Sequence, residues 1–146
     1  MESLKTITVL FRAYNSLEKI IRKDISQYGL NVNEFGVLEV LFHRDTLTVK
    51  EVIDKVLAPN SSISYTIESL VRKSLIEKVQ SIEDRRVFYL RLSKKGKDLM
   101  NKIFPIHKNN MRQILDVLAE NEELILQRAL VKIGKTSLEG IEKNEI

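Results

Sequence analysis

Between Leu75 and Gly96 the chain reads LIEKVQSIEDRRVFYLRLSKKG, and few arrangements accommodate that stretch. Two runs, Leu75–Gln80 and Val87–Leu92, are crowded with β-branched and aromatic residues, which suit a pleated, half-buried strand. In the second run Phe88, Leu90 and Leu92 fall on one face, so that face can pack on a core. The six residues between the runs, Ser81 to Arg86, are mostly charged. The expectation is an antiparallel hairpin with a charged tip, packed by one face against its helical surroundings. Arg85 and Arg86 put two adjacent guanidiniums at that tip. A guanidinium is permanently charged and flat, and it binds phosphate or enters a narrow groove better than an ammonium does. Asp84, two residues before Arg86, can hold it in one orientation. A local ion pair on an ordinary exposed hairpin has the same sequence, so the loop by itself leaves both readings open.

Charge distribution adds weight to one of them. The formal net charge of the 146 residues is only +4. From Arg72 to Lys97, however, nine basic side chains face three acidic ones (Glu77, Glu83 and Asp84). A basic patch on a near-neutral body is the electrostatic footprint of a polyanion-binding surface. The length fits one domain or one compact subunit with a real core. The chain has no cysteine, which excludes disulfides, thiolate metal sites and thiol redox sensing. No apolar run is long enough to cross a bilayer, and the N-terminus lacks a signal-peptide core, so the expected location is cytoplasmic.

Helical periodicity surrounds the hairpin. Leu4 to Tyr28 places Leu4, Ile7, Leu10, Phe11, Tyr14, Leu17, Ile21 and Ile25 at three- and four-residue steps, with Gly29 in position to end the helix. Such a helix is about 37 Å long at 1.5 Å per residue, which suits packing on a second subunit. Asn33 is the expected N-cap of a helix over 34–44, followed by a turn at Asp45-Thr46-Leu47. Thr48 and Glu51 form a capping-box pattern for a helix over 49–57. Ala58-Pro59-Asn60 breaks the chain, and Asn60 or Ser61 can cap a helix over 61–74 with Ile63, Ile67, Leu70 and Val71 buried. Its outer face offers Ser61, Ser62, Ser64, Tyr65, Glu68 and Arg72. After Gly96, a helix over 97–118 contains Pro105, which should kink or split it. A last helix over 120–133 can end at Gly134, before a polar tail, although Leu138 and Ile141 could prolong it.

This order, two short helices, a break, a polar-faced helix and a basic hairpin, is that of a winged helix-turn-helix. The fold class is therefore mainly α with a small β-hairpin wing, plus N- and C-terminal helices. The division is residues 1–30 as a dimerisation helix, 31–96 as the DNA-binding domain and 97–146 as dimerisation helices with a polar tail. Asn60, Ser61, Ser62, Ser64, Tyr65, Glu68 and Arg72 would face the major groove, and Asp84, Arg85 and Arg86 the backbone or minor groove.

Asp84-x-Arg86, five residues, then Leu92-Ser93-x-x-Gly96 resembles the signature of MarR-type transcriptional regulators. The resemblance covers roughly Leu4 to Gly134. It implies a homodimer on a palindromic operator in double-stranded DNA, repressing until a small molecule binds. It also implies that Arg86 enters the minor groove with Asp84 orienting it, and that the effector sits between the dimer helices and the winged domain. Two positions depart from the family pattern: Ser74 stands where glycine is common, and Ala119 where a capping hydroxyl is common. Ile103-Phe104-Pro105-x-His107 and Asn33-Glu34-Phe35 resemble the branch that responds to quinones and phenols. Without cysteine, any such response must be reversible binding.

Candidates for the effector pocket are Phe11, Arg12, Tyr14, Phe35, Phe42 and His43, although helical packing alone also explains the aromatic spacing. Two histidines, His43 and His107, do not suggest a metal site. No glycine-rich phosphate loop and no acid, base or nucleophile constellation is present, so neither a cofactor nor an enzymatic activity is expected. The competing reading is a winged-helix adaptor that meets an acidic protein partner without any small-molecule ligand.

Overall fold

The computed structural model describes residues 2–56 and 62–143. Among them the order of elements is α1 (Glu2–Ser26), α2 (Val32–Arg44), β1 (Leu47–Thr48), α3 (Val49–Lys55), α4 (Ile63–Arg72), β2 (Ile76–Gln80), β3 (Phe88–Leu92), α5 (Lys94–Leu115) and α6 (Glu120–Lys143). The expected break at Ala58-Pro59-Asn60 and the caps Asn60 and Ser61 lie outside the described residues. The chain divides into two compact units, Met1–Lys108 and Asn109–Ile146, so the division falls within α5.

In the first unit the core gathers the inner faces of the short helices and the sheet. Val37, Leu38 and Leu41 of α2, Val52 of α3, Ile63, Ile67 and Leu70 of α4, Leu90 of β3 and Met100 of α5 are all buried. The alternation expected in β3 holds: Leu90 and Leu92 are buried while Tyr89 and Arg91 are exposed. The sheet is antiparallel in the order β1-β3-β2, with Ile76 opposite Leu92 and Gln80 opposite Phe88. β1 was expected to be a turn; instead Leu47 and Thr48 pair with Leu90 and Tyr89. A two-residue strand is too short to show any periodicity, and its partner lies forty residues away in the chain.

Helix ends repay a residue-level reading. Asn31, not Asn33, caps α2: its side chain accepts from the Glu34 N–H at 2.8 Å, and Glu34 Oε1 accepts from the Asn31 N–H at 3.1 Å. That reciprocal arrangement satisfies two otherwise unpaired donors, and it needs the glutamate three residues after the cap. Thr48 and Glu51 form the second such box, as expected. At the end of α4, Ser74 adopts φ +60°, the Ser74 N–H reaches Val71 O and the Leu75 N–H reaches Leu70 O. This is the Schellman termination, made here with serine where glycine is the easier residue. Gly29 ends the region after α1 with φ +73°.

The split that Pro105 could impose is absent, and of the two ends open to the last helix the longer is taken. α5 runs unbroken through Pro105, which is exposed, while Ile103 and His107 on either side are buried. Proline removes one helical hydrogen bond, and anchoring on both sides holds the helix across the loss. α6 continues past Gly134 to Lys143. In the second unit Arg112 grips Asp116, one residue past the end of α5, and Glu123 of α6, and Glu122 Oε2 accepts from the Ala119 N–H at 2.8 Å. The glutamate thus supplies the reciprocal half of a cap even though Ala119 has no hydroxyl.

Candidate nucleic-acid interface

The hairpin tip is organised by its own hydrogen bonds. The Ser81 N–H donates to Val87 O at 2.8 Å, the Val87 N–H to Asp84 O at 3.0 Å, and Gln80 Nε2 to Arg85 O at 2.7 Å. On this frame Asp84 holds Arg86 at three points. Oδ1 accepts from the Arg86 backbone N–H at 3.0 Å and from Nε at 3.1 Å, and Oδ2 accepts from Nη2 at 3.0 Å. The fork is planar recognition of a carboxylate, which lysine cannot imitate. The same hydrogen bonds hold the Asp84 carboxyl below its ordinary value and the Arg86 guanidinium above its own. The Arg86 side chain is nevertheless 90% exposed, so its charge is fixed in direction but open to a partner. Arg85 is exposed beside it, and Ile82 is fully exposed at the tip.

The rest of the signature is structural. Leu92 is core. Ser93 Oγ accepts from the Gly96 N–H at 3.0 Å and donates to Ser74 O at 2.6 Å, so one hydroxyl caps α5 and ties it to the chain entering the wing. The Ser93 N–H also donates to Leu75 O at 3.1 Å. A Cβ on Gly96 would stand 2.0 Å from that same Leu75 O, so only glycine lets the first turn of α5 touch the strand backbone.

The outer face of α4 is polar as expected. Ser64, Tyr65, Glu68 and Arg72 are exposed, with the Arg72 guanidinium 5.6 Å from the Tyr65 ring. Ser62 is half-buried and its Oγ accepts from Asn33 Nδ2 at 3.0 Å. Glu68 pairs with Lys78 of β2 at 2.7 Å, which joins the helix to the wing. Arg91 pairs with Glu77, its cross-strand neighbour, at 2.6 Å. Among the described residues, this pairing leaves Arg72, Arg85, Lys94, Lys95 and Lys97 without ion partners, so the positive patch survives at the tip and beyond the hairpin.

Among the described residues, the six candidates for an effector pocket have different surroundings. Phe35 is buried and its ring lies 4.5 Å from that of His107. Phe42, His43 and Phe104 cluster with centroids 4.8–5.4 Å apart, His43 edge-to-face with each phenylalanine and the two phenylalanines tilted. His43 also lines an open groove of about 440 Å³ with Glu39, Val40, Arg44 and Lys55. Phe11, Arg12 and Tyr14 are exposed on α1. Three arrangements escaped the sequence reading: the His107–Asp24 pair, with Nδ1 2.7 Å from Oδ2; the Lys73–Glu34 pair; and the Ser93 cap. Only the last had a local signal, a serine three residues before a glycine at the start of a helix.

The family described as transcriptional regulator SarA/Rot matches residues 17–103. The HTH-type transcriptional regulator MhqR of Bacillus subtilis (strain 168) is 37% identical over 133 residues, 91% of this chain and 92% of its own. The crystal structure of AbsC, a MarR family transcriptional regulator from Streptomyces coelicolor, superposes with a TM-score of 0.84 at 23% identity, covering 94% of each chain. Bordetella bronchiseptica BpsR, whose DNA binding is regulated by 6-hydroxynicotinic acid, superposes with a TM-score of 0.77 at 21% identity, over 87% of this chain and 91% of its own. With the wing, its signature and the relatives in agreement, the chain belongs to the MarR family of winged helix-turn-helix transcriptional regulators, which act by binding DNA.

Proposed function

We propose that this chain is a cytoplasmic homodimeric repressor that holds a palindromic operator until a small aromatic or phenolic molecule displaces it. Residues 31–96 read the DNA: the outer face of α4 enters the major groove and Arg86 the adjacent minor groove. The Asp84–Arg86 fork carries this reading, because it spends an aspartate on aiming a guanidinium that the protein itself does not cover. The segments 1–30 and 97–146 supply the dimer. Leu4, Ile7, Phe11 and Tyr14 on α1 and Leu124, Ile125, Leu130 and Val131 on α6 are exposed apolar residues, in the quantity that a two-fold partner would bury. Asn60 and Ser61, which precede α4 in the sequence, are included in the proposed DNA contacts.

Regulation of BpsR by a hydroxylated aromatic acid supports an effector of that class here. The Phe42–His43–Phe104 cluster beside the groove offers flat apolar walls with a polar edge at His43. Phe35 would contribute from the core side, and Phe11, Arg12 and Tyr14 would join only where a second protomer brings them to the site.

Selection of bound fragments from the host genome tests the proposal. It should return an inverted repeat whose half-sites are about 34–36 Å apart, one turn of B-DNA. A simple phenol added to that complex should release it. Equal affinity for the selected and a scrambled duplex would sink the operator reading, and a complex indifferent to every phenol and aromatic acid tried would sink the effector.

A further inference from the structure

The recognition helix is fastened at both ends to one turn of α2. At its start, Asn33 Nδ2 donates to Ser62 Oγ at 3.0 Å. At its end, Lys73 Nζ lies 2.5 Å from Glu34 Oε2. The two anchors are consecutive residues. Their attachment points, Ser62 and Lys73, are the N-cap and C-cap of α4. Two tethers about 16 Å apart along a helix axis restrain its tilt as well as its position.

Glu34 is suited to this task. Its side chain is 6% exposed, against 45% for Lys73. A carboxylate buried to that degree needs its cation and its hydrogen bonds, because an uncompensated buried charge is strongly unfavourable. Its other oxygen, Oε1, is occupied by the Asn31 N–H. Both oxygens are therefore committed, one to its own helix and one to α4. The turn is itself immobilised. Phe35, the next residue, is buried against His107, whose Nδ1 meets Asp24 of α1.

We propose that Asn33 and Glu34 are positioning residues for DNA recognition, which set the seating of α4 in the major groove without touching DNA. The inference rests on the operator reading above and extends it. Two other roles are open to the same pair: general stability, or restraint of Lys73 from a phosphate. The roles separate in one variant. Glu34→Gln keeps an acceptor for the Asn31 N–H and nearly the same volume, but offers Lys73 no charge.

The measurement is the affinity of the full-length protein for the selected operator and for a scrambled duplex of equal length, with thermal melting alongside. A positioning role predicts that the operator-to-scrambled preference of Glu34→Gln falls roughly tenfold, the scale of coupling within one polar network, while scrambled-duplex affinity holds. Asn33→Ala should lower the preference in the same way from the other end, which keeps the test available should Glu34→Gln fail to fold. A lowered melting temperature with preference intact overturns the proposal in favour of plain stability. A parallel rise in both affinities overturns it in favour of a released phosphate contact. Wild-type protein without any preference would remove the operator reading itself, and this inference with it.

Discussion

Arg86 and Asp84 divide one task. The arginine supplies charge, and the aspartate removes the freedom of a long side chain that binding would otherwise have to quench. Replacing Arg86 with alanine should weaken operator binding roughly 5- to 150-fold, the range for one arginine that reads a base, with the fold unchanged by circular dichroism. Wild-type affinity in that variant would remove Arg86 from the interface. The fork also makes a prediction in pH. Hydrogen bonds from Arg86 hold the Asp84 carboxyl below the ordinary 3.8, so the tip is stabilised above that value and loses the contribution as pH falls through the lower, folded-state midpoint. Carboxyl carbon shifts followed against pH should show the Asp84 midpoint moving up toward 3.8 in Arg86→Ala. An identical midpoint in the two proteins would mean that the fork does not persist in solution.

At the scale of elements, the junction between α4, the wing and α5 is where backbone geometry is tightest. Gly96→Ala forces a methyl against Leu75 O, and the strand cannot yield without disturbing Ser93. The substitution should cost ~1–3 kcal/mol or more, read by urea denaturation. Little change would show that the first turn of α5 can shift away from β2. Ser74 is the opposite case. It occupies a left-handed φ that glycine adopts more easily, so Ser74→Gly should stabilise the protein by ~0.5–1 kcal/mol, the steric relief less the added chain entropy. The hydrogen bonds at this corner are to the backbone of residue 74 and survive the change. A loss of stability would point to a role for the serine hydroxyl in the termination.

For the whole molecule, each compact unit presents apolar side chains to solvent, which the proposed dimer would cover. Light scattering of the purified protein should report twice the chain mass. Phe11→Asp should shift it toward the monomer and weaken operator binding more than scrambled-duplex binding, because in the proposed dimer each protomer reads one half-site. A wild-type monomer would end the dimer proposal. Operator affinity should also fall steeply as salt rises, since phosphate contacts release counterions. Arg72, Arg85, Lys94, Lys95 and Lys97, without ion partners among the described residues, make that dependence a property of the patch rather than of one residue.

Read one residue after another, the chain already determined the hairpin, the three short helices and the polar face of α4, because each rests on spacing within a dozen residues. The Asp84-x-Arg86 fork was legible for the same reason: two residues apart on one turn, they have little choice but to meet. Tertiary structure alone decided the pairs that join distant segments. Lys73 finds Glu34, and His107 finds Asp24, only once helices have packed, and no local pattern marks one lysine or one histidine for a buried partner. β1 is of the same kind, a strand by virtue of its neighbour. Pro105 went the other way, since its local tendency to split a helix lost to the continuity of α5, while at Gly134 the sequence left two ends open and the longer helix formed. Local spacing sets which elements form, whereas burial sets which charges must meet, and that second requirement exists only in the folded chain.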